Sequence, residues 1–535
     1  MSTPKELIFE ETARNKLREG IDNLAKAVCI TLGPQGRNVG LQASWGTPKI
    51  TNDGNSIVKD IELKDTYANM GVTIGKEVAS KMKEKCGDGT TTSLLLLNAL
   101  VQTGVKNIAS GASPIHIKRG IDKAVEKIVS ELESMAIKIK TEKETKNIAI
   151  ASASGNEAVG TLISNAIQKV GRSGVITIEE GKSTETTIDM VEGMQFDRGY
   201  VSPYFATDAE TMTSTLHAPR ILITDKKISS AQDILPLLQA IAASQTSLLI
   251  IADDIESDAM STLIVNKIRG TLKVAAVKTP GFGDRRKAYL QDIAVLTGGT
   301  LISEETGLIL KNATIDLLGK AEKVMITKEK TVIVNGMGNS KEIAARIKQI
   351  DGEIGSTTSS YDKEKLEERK AKLGGGVAII RVGATSEPEA QHKKQLFEDS
   401  LNSTRSALEE GVVTGGGVAL LRASRSVEKT LKLDGDEAIG AKMVFKACEA
   451  PVRQIIANAG LDPSLFIEKI LSEKPMMGFN AMSESVEDLV KAGIIDPVKV
   501  EKHALRYAAS SASVVLLSEV LIANAPEEDE QSSHS

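Results

Sequence analysis

Residues 86–93 read CGDGTTTS, and an apolar run, LLLLNALV, follows at once. Asp88 is a hard oxygen ligand of the kind Mg²⁺ takes. The glycines on either side let backbone approach a ligand closely. Thr90, Thr91 and Thr92 stand where a helix begins. Unpaired N–H groups and the positive helix end attract phosphate there, and the hydroxyls add donors. Asp88, Gly89, Thr90, Thr91 and Thr92 therefore have the parts of a magnesium–phosphate cradle. The same string also reads as a tight turn followed by a threonine N-cap, and the stretch alone leaves both readings open.

Other phosphate patterns are weaker. GVTIGKE (71–77) has the wrong spacing for a P-loop and a glutamate where Ser or Thr is needed, and NGMGNSK (335–341) fails the dinucleotide pattern. TGGGVALL (414–421) opens an apolar helix. Its glycines would either admit a nucleotide to the helix start or let two helices pack closely.

The elements that must position these groups are helical at both chain ends. Amphipathic spacing predicts helices over 11–30, 68–86, 91–110 and 114–135. The first breaks at LGPQG (32–36). VGLQASWGTPKITNDG predicts a hairpin closing on Asp53-Gly54. From about 193 to 376 strands and helices alternate: RILITD, AQDILPLLQAIAAS, SLLIIADD, SDAMSTLIVNKIRG, LKVAAVKTP. That alternation predicts an α/β domain with a partly parallel sheet. A charged helix over 361–373 leads into a glycine triplet, the strand VAIIRVGA follows, and helices resume to about 526. An α/β domain inserted into a helical one is the simplest architecture. Gly193, Gly375 and Gly376 sit at the crossings, as hinges or as ordinary turn glycines. The tail, APEEDEQSSHS, is expected to be disordered.

At 535 residues the chain is too long for one core, and about two to four domains are expected. Apolar residues are 41% and charged residues 26%, a soluble globular balance, while aromatics are only 3%, so the core must be aliphatic. Acids outnumber bases 71 to 66, which argues against a nucleic-acid or anionic-membrane partner. Cys29, Cys86 and Cys448 form no CxxC and read as buried, reduced thiols of a cytosolic-type compartment. The five histidines are scattered, so no His/Cys metal cluster is visible. The start, MSTPKELIFEET, lacks a signal-peptide pattern. No apolar run approaches the ~20 residues of a membrane span, and a cytoplasmic location is expected.

LGPQGRNV, TNDG, GDGTTT, EGMQFDRGYVSPYF, VKTPGFGDRRK, EEGVVTGGGVAL and IIDPVKVEKHAL occur in this order. With that ordered set the chain closely resembles the group I chaperonins, the GroEL family, from about residue 5 to about residue 524. The resemblance implies a multidomain subunit of mixed α and α/β class. A helical equatorial ATP-binding domain would comprise 1–134 and 410–535, with 525–535 a disordered tail. A small intermediate hinge domain would comprise 135–191 and 378–409, and an inserted α/β apical domain 192–377. It also implies ATP hydrolysis with Mg²⁺, unfolded polypeptides as clients, a GroES-like co-chaperonin as lid, and homo-oligomeric heptameric rings, usually two stacked back to back.

By this resemblance Asp88 takes the Mg²⁺, and Gly89 and Thr90 to Thr92 hold the phosphates. Thr31, Leu32, Gly33 and Pro34 line the nucleotide, with Ser152 and Gly416 beside it. Asn480, Ala481 and Met482 face the base and Asp496 the ribose. Asp399 orients the attacking water and Asp53 assists. Client contacts fall at Tyr200, Tyr204, Phe205, Leu235, Leu238, Met260, Ile264 and Val265. Leu235 with Leu238, and Met260 with Ile264, each share a helix face by spacing. Such stripes are usually core, whereas an exposed one marks an interaction surface, and Met suits varied partners.

Several positions depart from the family pattern. Gln35 and Asn52 stand where lysine is common, Trp45 stands where phenylalanine is common at a subunit contact, and the Gly-Gly-Met tail is missing. The losses of charge keep a second reading open: a divergent chaperonin acting mainly as a holdase or scaffold with weak turnover. A small-molecule kinase would need a substrate pocket and base that the sequence does not display.

Overall fold

The computed structural model describes residues 4–42, 48–153, 155–171, 174–181, 183–208, 211–281, 283–357 and 359–525. Trp45 and the acidic tail expected to be disordered lie outside the described residues. The chain divides into two compact units: 1–164 with 395–535, and 165–394.

The first unit is built on long helices. Glu10–Cys29, Thr66–Cys86, Thr90–Ala109, Pro114–Ser134, Val418–Thr430, Gly435–Ala447 and Val498–Leu517 surround one core. That core is almost wholly Leu, Ile, Val and Ala, with Phe445 its one buried aromatic among the described residues. The Thr90–Ala109 helix shows why the pattern folds this way. Leu94, Leu97, Leu100, Val101, Gly104 and Val105 recur at three- and four-residue steps and are buried, the stripe of a core-facing helix.

Two local readings are corrected here. Val39–Leu41 and Lys49–Thr51 do pair antiparallel. Asp53-Gly54 does not close that hairpin, however. Asp53 caps the helix Gly54–Asp60, accepting the N–H groups of Asn55 and Ser56. The Asp side chain satisfies two first-turn donors at once, which a hairpin turn would leave open. The second correction concerns the chain ends, where the sequence pattern predicts helical character up to about 526 and no strand before residue 39. Lys5–Phe9 pairs antiparallel with Val520–Asn524, Lys5 opposite Asn524 and Phe9 opposite Val520. Arg14 secures this tie with a hydrogen bond to the Ser518 carbonyl and an ion pair to Glu519.

The second unit is α/β, with a partly parallel sheet as expected. Its eight-stranded sheet runs in the order Lys273–Lys278, Ser247–Ala252, Arg220–Thr224, Gly319–Ile326, Thr331–Gly336, Gly193–Phe196. Leu301–Ile302 adds to Arg220–Thr224, and Ser214–His217 adds to Gly319–Ile326. The first three strands and Leu301–Ile302 pair in parallel, and the other pairings are antiparallel. Ser247–Ala252 is buried throughout, as a central parallel strand covered on both faces must be. A separate sheet pairs Val377–Val382 parallel to Val175–Glu180 and antiparallel to Thr187–Val191. The helix expected over 231–244 is interrupted. A 3₁₀ turn, Ala231–Asp233, precedes the helix Leu235–Ser244, which starts around Pro236 because proline suits a first turn and not an interior. Among the described residues no helix is long and apolar enough to cross a membrane.

Candidate functional site

Two left-handed glycines set up the centre of the first unit. Gly87 (φ 71°) ends the Thr66–Cys86 helix, its N–H bonding the Lys83 and Met82 carbonyls. Gly89 (φ 83°) is the N-cap of Thr90–Ala109, and no side chain caps that helix. The threonine N-cap read from sequence is therefore replaced by a glycine. Thr90, Thr91 and Thr92 form the first turn, and their N–H groups carry no side-chain acceptor. A Cβ at Gly89 would lie 2.6 Å from Met82 Cε and from Val500 Cγ1, so the reversal is closed to other residues. Asp88 is held between the two helices at the positive end of the second. It accepts the Gly89 N–H at 2.6 Å and a hydrogen bond from the Ser403 hydroxyl.

Ser403 lies on the helix Glu387–Glu410, one turn beyond Asp399. Residues four apart share a helix face, so the same helix brings both to Asp88. Asp399 accepts from Gln395 Nε2 at 2.7 Å. Its carboxyl is pushed up to about 7, first by burial and then by the negative charges of Asp88 and Asp53, with Lys83 and Gln395 opposing. Asp53 is spent on its helix cap, yet Gly54 packs on Thr91: a Cβ there would lie 2.6 Å from Thr91 Oγ1.

The other wall is the Thr31–Pro34 turn. Thr31 Oγ1 bonds the Val28 carbonyl at 2.8 Å, and Asn458 Nδ2 holds the Cys29 and Leu32 carbonyls at 3.0 and 2.8 Å. Gly33 is left-handed (φ 83°). Gln35 Nε2 reaches the Ala481 carbonyl at 3.4 Å, which joins this turn to the 480–482 segment. Asn480 is fixed by Glu487 at 2.6 Å, Ala481 is buried, and Met482 is exposed. Ser152 ends the helix Glu142–Ser152, which packs beside Asp399's helix through Ser400 Oγ on the Ala149 carbonyl.

Val412–Thr414 pairs antiparallel with Ile495–Pro497, placing Asp496 opposite Val413. Asp496 accepts the N–H groups of Gly416 and Gly417. Its carboxyl rises to about 6 through burial and the Asp88 charge. The two glycines answer the two readings of TGGG separately. A Cβ at Gly417 (φ 74°) would lie 2.6 Å from the Val452 N and 2.8 Å from Pro451 Cβ, so this glycine serves helix packing. A Cβ at Gly416 (φ 67°) would meet nothing nearer than 3.6 Å, so this one borders open space. Gly417→Ala is expected to lower stability by about 2–4 kcal/mol, since backbone must move as well as adopt left-handed strain. Gly416→Ala is expected to lose only ~1–2 kcal/mol. Denaturant midpoints of the two variants check this, and equal losses would count against it.

Asp88, Asp53, Asp399 and Asp496 thus surround one region, and Lys83 opposes the rise of Asp399. Two buried carboxyls, Asp399 and Asp496, raised beside the Asp88 charge mark a place built for a counter-cation. No group of three or more ligating side chains is present among the described residues. A metal here would take one carboxylate, Asp88, and draw its other oxygens from phosphate and water, as Mg²⁺ does. Sequence reasoning missed Ser403, Gln395, Asn458 and Glu501. The i, i+4 step from Asp399 could have found the first two, since Gln395 and Ser403 flank it by one turn. Nothing local marks Asn458.

In the second unit the structure separates the expected client residues. Tyr204 (67% exposed), Leu235 and Val265 face solvent, and Met260 and Ile264 are partly covered. Phe205 (0%), Leu238 (4%) and Tyr200 are buried in the sheet's core and offer no surface. This corrects the shared face read for Leu235 and Leu238. Leu237, Leu238 and Ile241 form the buried side, and Leu235, two residues from Leu237, points away from it. Ile268, not singled out in the sequence, is exposed beside Val265. Lys267 Nζ binds the Tyr204 and Ala206 carbonyls, both at 2.7 Å, tying the Tyr204 turn to that helix.

The expected hinge glycines are unlike one another. Gly193 begins a strand and is packed, with 2.4 Å between a Cβ and Val377 Cγ2. Gly375 ends the Ser360–Gly374 helix, and Gly376 is left-handed (φ 64°). All three cysteines are buried and free, as expected.

Residues 24–526 match the model of the TCP-1/cpn60 chaperonin family. The chain is 62% identical over 533 residues to chaperonin GroEL 3 of Protochlamydia amoebophila, covering 100% of both. Its fold is similar to that of the chaperonin gp146 from bacteriophage EL 2, crystallised in the presence of ATP-BeFx. The TM-score is 0.71 at 22% identity, covering 97% of this chain and 99% of that one.

Proposed function

The chain belongs to the TCP-1/cpn60 chaperonin family, and from that premise we propose that it is an ATP-hydrolysing chaperone. It captures unfolded polypeptides and promotes their folding in a ring-shaped chamber closed by a GroES-like co-chaperonin. The observation that carries the reading is the arrival of Asp399, on its helix, at the uncapped Asp88–Thr92 helix start.

ATP is the substrate. Its phosphates lie on the first-turn N–H groups and hydroxyls of Thr90, Thr91 and Thr92, with Gly89 allowing close approach. Thr31 to Pro34, Ser152 and Gly416 line it, Asn480 to Met482 meet the base and Asp496 the ribose. Asp88 would hold Mg²⁺, which neutralises phosphate charge when bound. Asp399 accepts the proton of the attacking water and orients it, and Asp53 assists. Phosphoryl transfer asks little more of a protein than position and charge. Burial, which raises Asp399, makes it a stronger base at neutral pH than an ordinary carboxylate.

We assign 1–134 with 410–535 to an equatorial domain, 135–191 with 378–409 to an intermediate domain and 192–377 to an apical one. Nucleotide shifts the balance of conformations only through unequal affinity for them, and Gly193, Gly375 and Gly376 take up the change. Tyr204, Leu235, Met260, Ile264 and Val265 form the apolar client face, with Ile268 added. Ring assembly is supported by the chain-end tie, where Leu7, Phe9 and Ile522 are more than 40% exposed on a two-stranded ribbon. A ribbon with open apolar edges invites another copy. We place the assembly in the cytoplasm.

The test is steady-state ATP hydrolysis with Mg²⁺, with and without co-chaperonin, alongside refolding of a denatured client. Turnover coupled to refolding supports the cycle. Client binding without turnover supports the holdase reading, which the neutral Gln35 and Asn52 favour. Those positions yield a separate expectation. Gln35→Lys with Asn52→Lys should tighten ATP binding by about 10-fold or more, since each restores a charge-assisted contact of ~1–3 kcal/mol. Titration of both forms with nucleotide checks it, and unchanged affinity would mean that neither position reaches the phosphates.

A further inference from the structure

Glu501 stands in the first turn of the helix Val498–Leu517. An acid there ordinarily faces solvent and complements the helix dipole. Here it is 5% exposed. Its carboxyl faces that of Asp496 within hydrogen-bond reach. Its Oε2 is buried and receives no donor. The charged and titratable groups facing it are Asp496, Asp88 and the Cys448 thiol, and none of these is a cation. Asp496 also takes the N–H groups of Gly416 and Gly417, so it is the member of the pair supplied with donors.

Two ionised carboxylates cannot share a buried contact without a cation. One proton between them resolves both the contact and the orphaned oxygen, because a protonated carboxyl is a donor. Burial and the neighbouring acids push Glu501 well above the ordinary range, the dipole being too weak to oppose them. The proton therefore sits on Glu501, and Asp496, with three donors, stays the acceptor.

We propose that Glu501 is a positioning residue for the nucleotide pocket: its carboxylic acid hydrogen-bonds Asp496 and holds that carboxylate ready to accept the ribose hydroxyls, which makes nucleotide affinity depend on a proton. The inference rests on the reading of Asp496 as the ribose contact. As pH rises, Glu501 loses its proton to solvent, the pair becomes two anions, and Asp496 is driven out of place.

The experiment is ADP affinity of the assembled protein between pH 7 and pH 9, which avoids hydrolysis. The native protein is expected to bind more weakly as pH rises, by about tenfold once Glu501 has ionised. Glu501→Leu, which removes the donor, is expected to bind about tenfold more weakly at pH 7. Glu501→Gln keeps a donor that does not titrate, so it should restore most of that loss and show a flat profile. A Glu501→Gln profile that still falls like the native one overturns the proposal, even if Glu501→Leu does not fold. So does a Glu501→Leu affinity equal to the native. Asp496→Ala separates the premise: if it binds ADP undiminished, the ribose reading fails and this inference with it. If it binds weakly while the Glu501 variants match the native protein, only the inference fails.

Discussion

Asp399→Ala is expected to cut steady-state ATP turnover by about 10²–10⁴-fold, the usual contribution of a positioned general base, while ATP affinity stays within a few-fold. The split follows from placement. Asp399 arrives on the Glu387–Glu410 helix with Gln395 and Ser403 one turn away on either side. The turn Gly89–Thr92, proposed above to hold the phosphates, is built by another helix altogether. Removing the acid leaves the cradle and takes away the proton acceptor. Equal loss of turnover and affinity would mean instead that Asp399 is part of the binding site.

Its elevated carboxyl gives this prediction a pH signature. The ionised form is the active one, so kcat/KM should fall as pH drops through about 7. Stability runs the opposite way. An unfolded aspartate releases its proton near ~3.9, whereas the folded one keeps it to about 7. Between those values the folded state binds the extra proton, so folding stability declines as pH rises across that window. Above it the full penalty, on the order of a few kcal/mol, is present. Asp399→Asn cannot ionise. It should therefore melt higher than the native protein at pH 8 and no higher at pH 4, while remaining inactive. A variant that is no more stable at pH 8 would mean that the native carboxyl titrates normally.

Periodicity carried the helices of the first unit and the strand–helix alternation of the second, because both patterns are local. The Lys5–Phe9 and Val520–Asn524 pairing was hidden, since each strand is five residues long and its partner lies at the other chain end. Asp53 was read as a turn residue because an Asp-Gly pair signals a hairpin as readily as a helix cap. Leu238 and Leu235 could not be told apart on a helix that is apolar nearly all round; only the sheet beneath decides which side is buried. The residues of the candidate site were legible through family resemblance, with the Asp88 stretch alone suggesting its own chemistry. The supports were not. Ser403 and Asn458 act by reaching residues more than 300 positions away, and Glu501 looks like any surface acid until its burial is seen.

Asp88→Ala should have the widest effect of any single change, because Asp88 bears on three other acids. It is the largest charge raising Asp399 and Asp496 after burial itself, and it also raises Glu501. Without it the candidate metal position loses its one protein carboxylate, and turnover should fall about 10³-fold or more, the several kcal/mol a metal supplies to charge development. Nucleotide should then bind no more tightly with Mg²⁺ than without it. The remaining acids should relax downward, moving any residual pH limb of Asp399 toward the ordinary carboxylate range. Ser403→Ala is the control, since it removes the hydrogen bond to Asp88 but leaves the charge. Its effect should be about 10- to 100-fold, the worth of one hydrogen bond to an ion. If Asp88→Ala kept Mg²⁺-dependent turnover, the metal would have to sit on Asp399 or Asp53 instead, and Asp399 could not then serve as the base. Measuring Mg²⁺ dependence and pH profile together in the one variant decides between these arrangements.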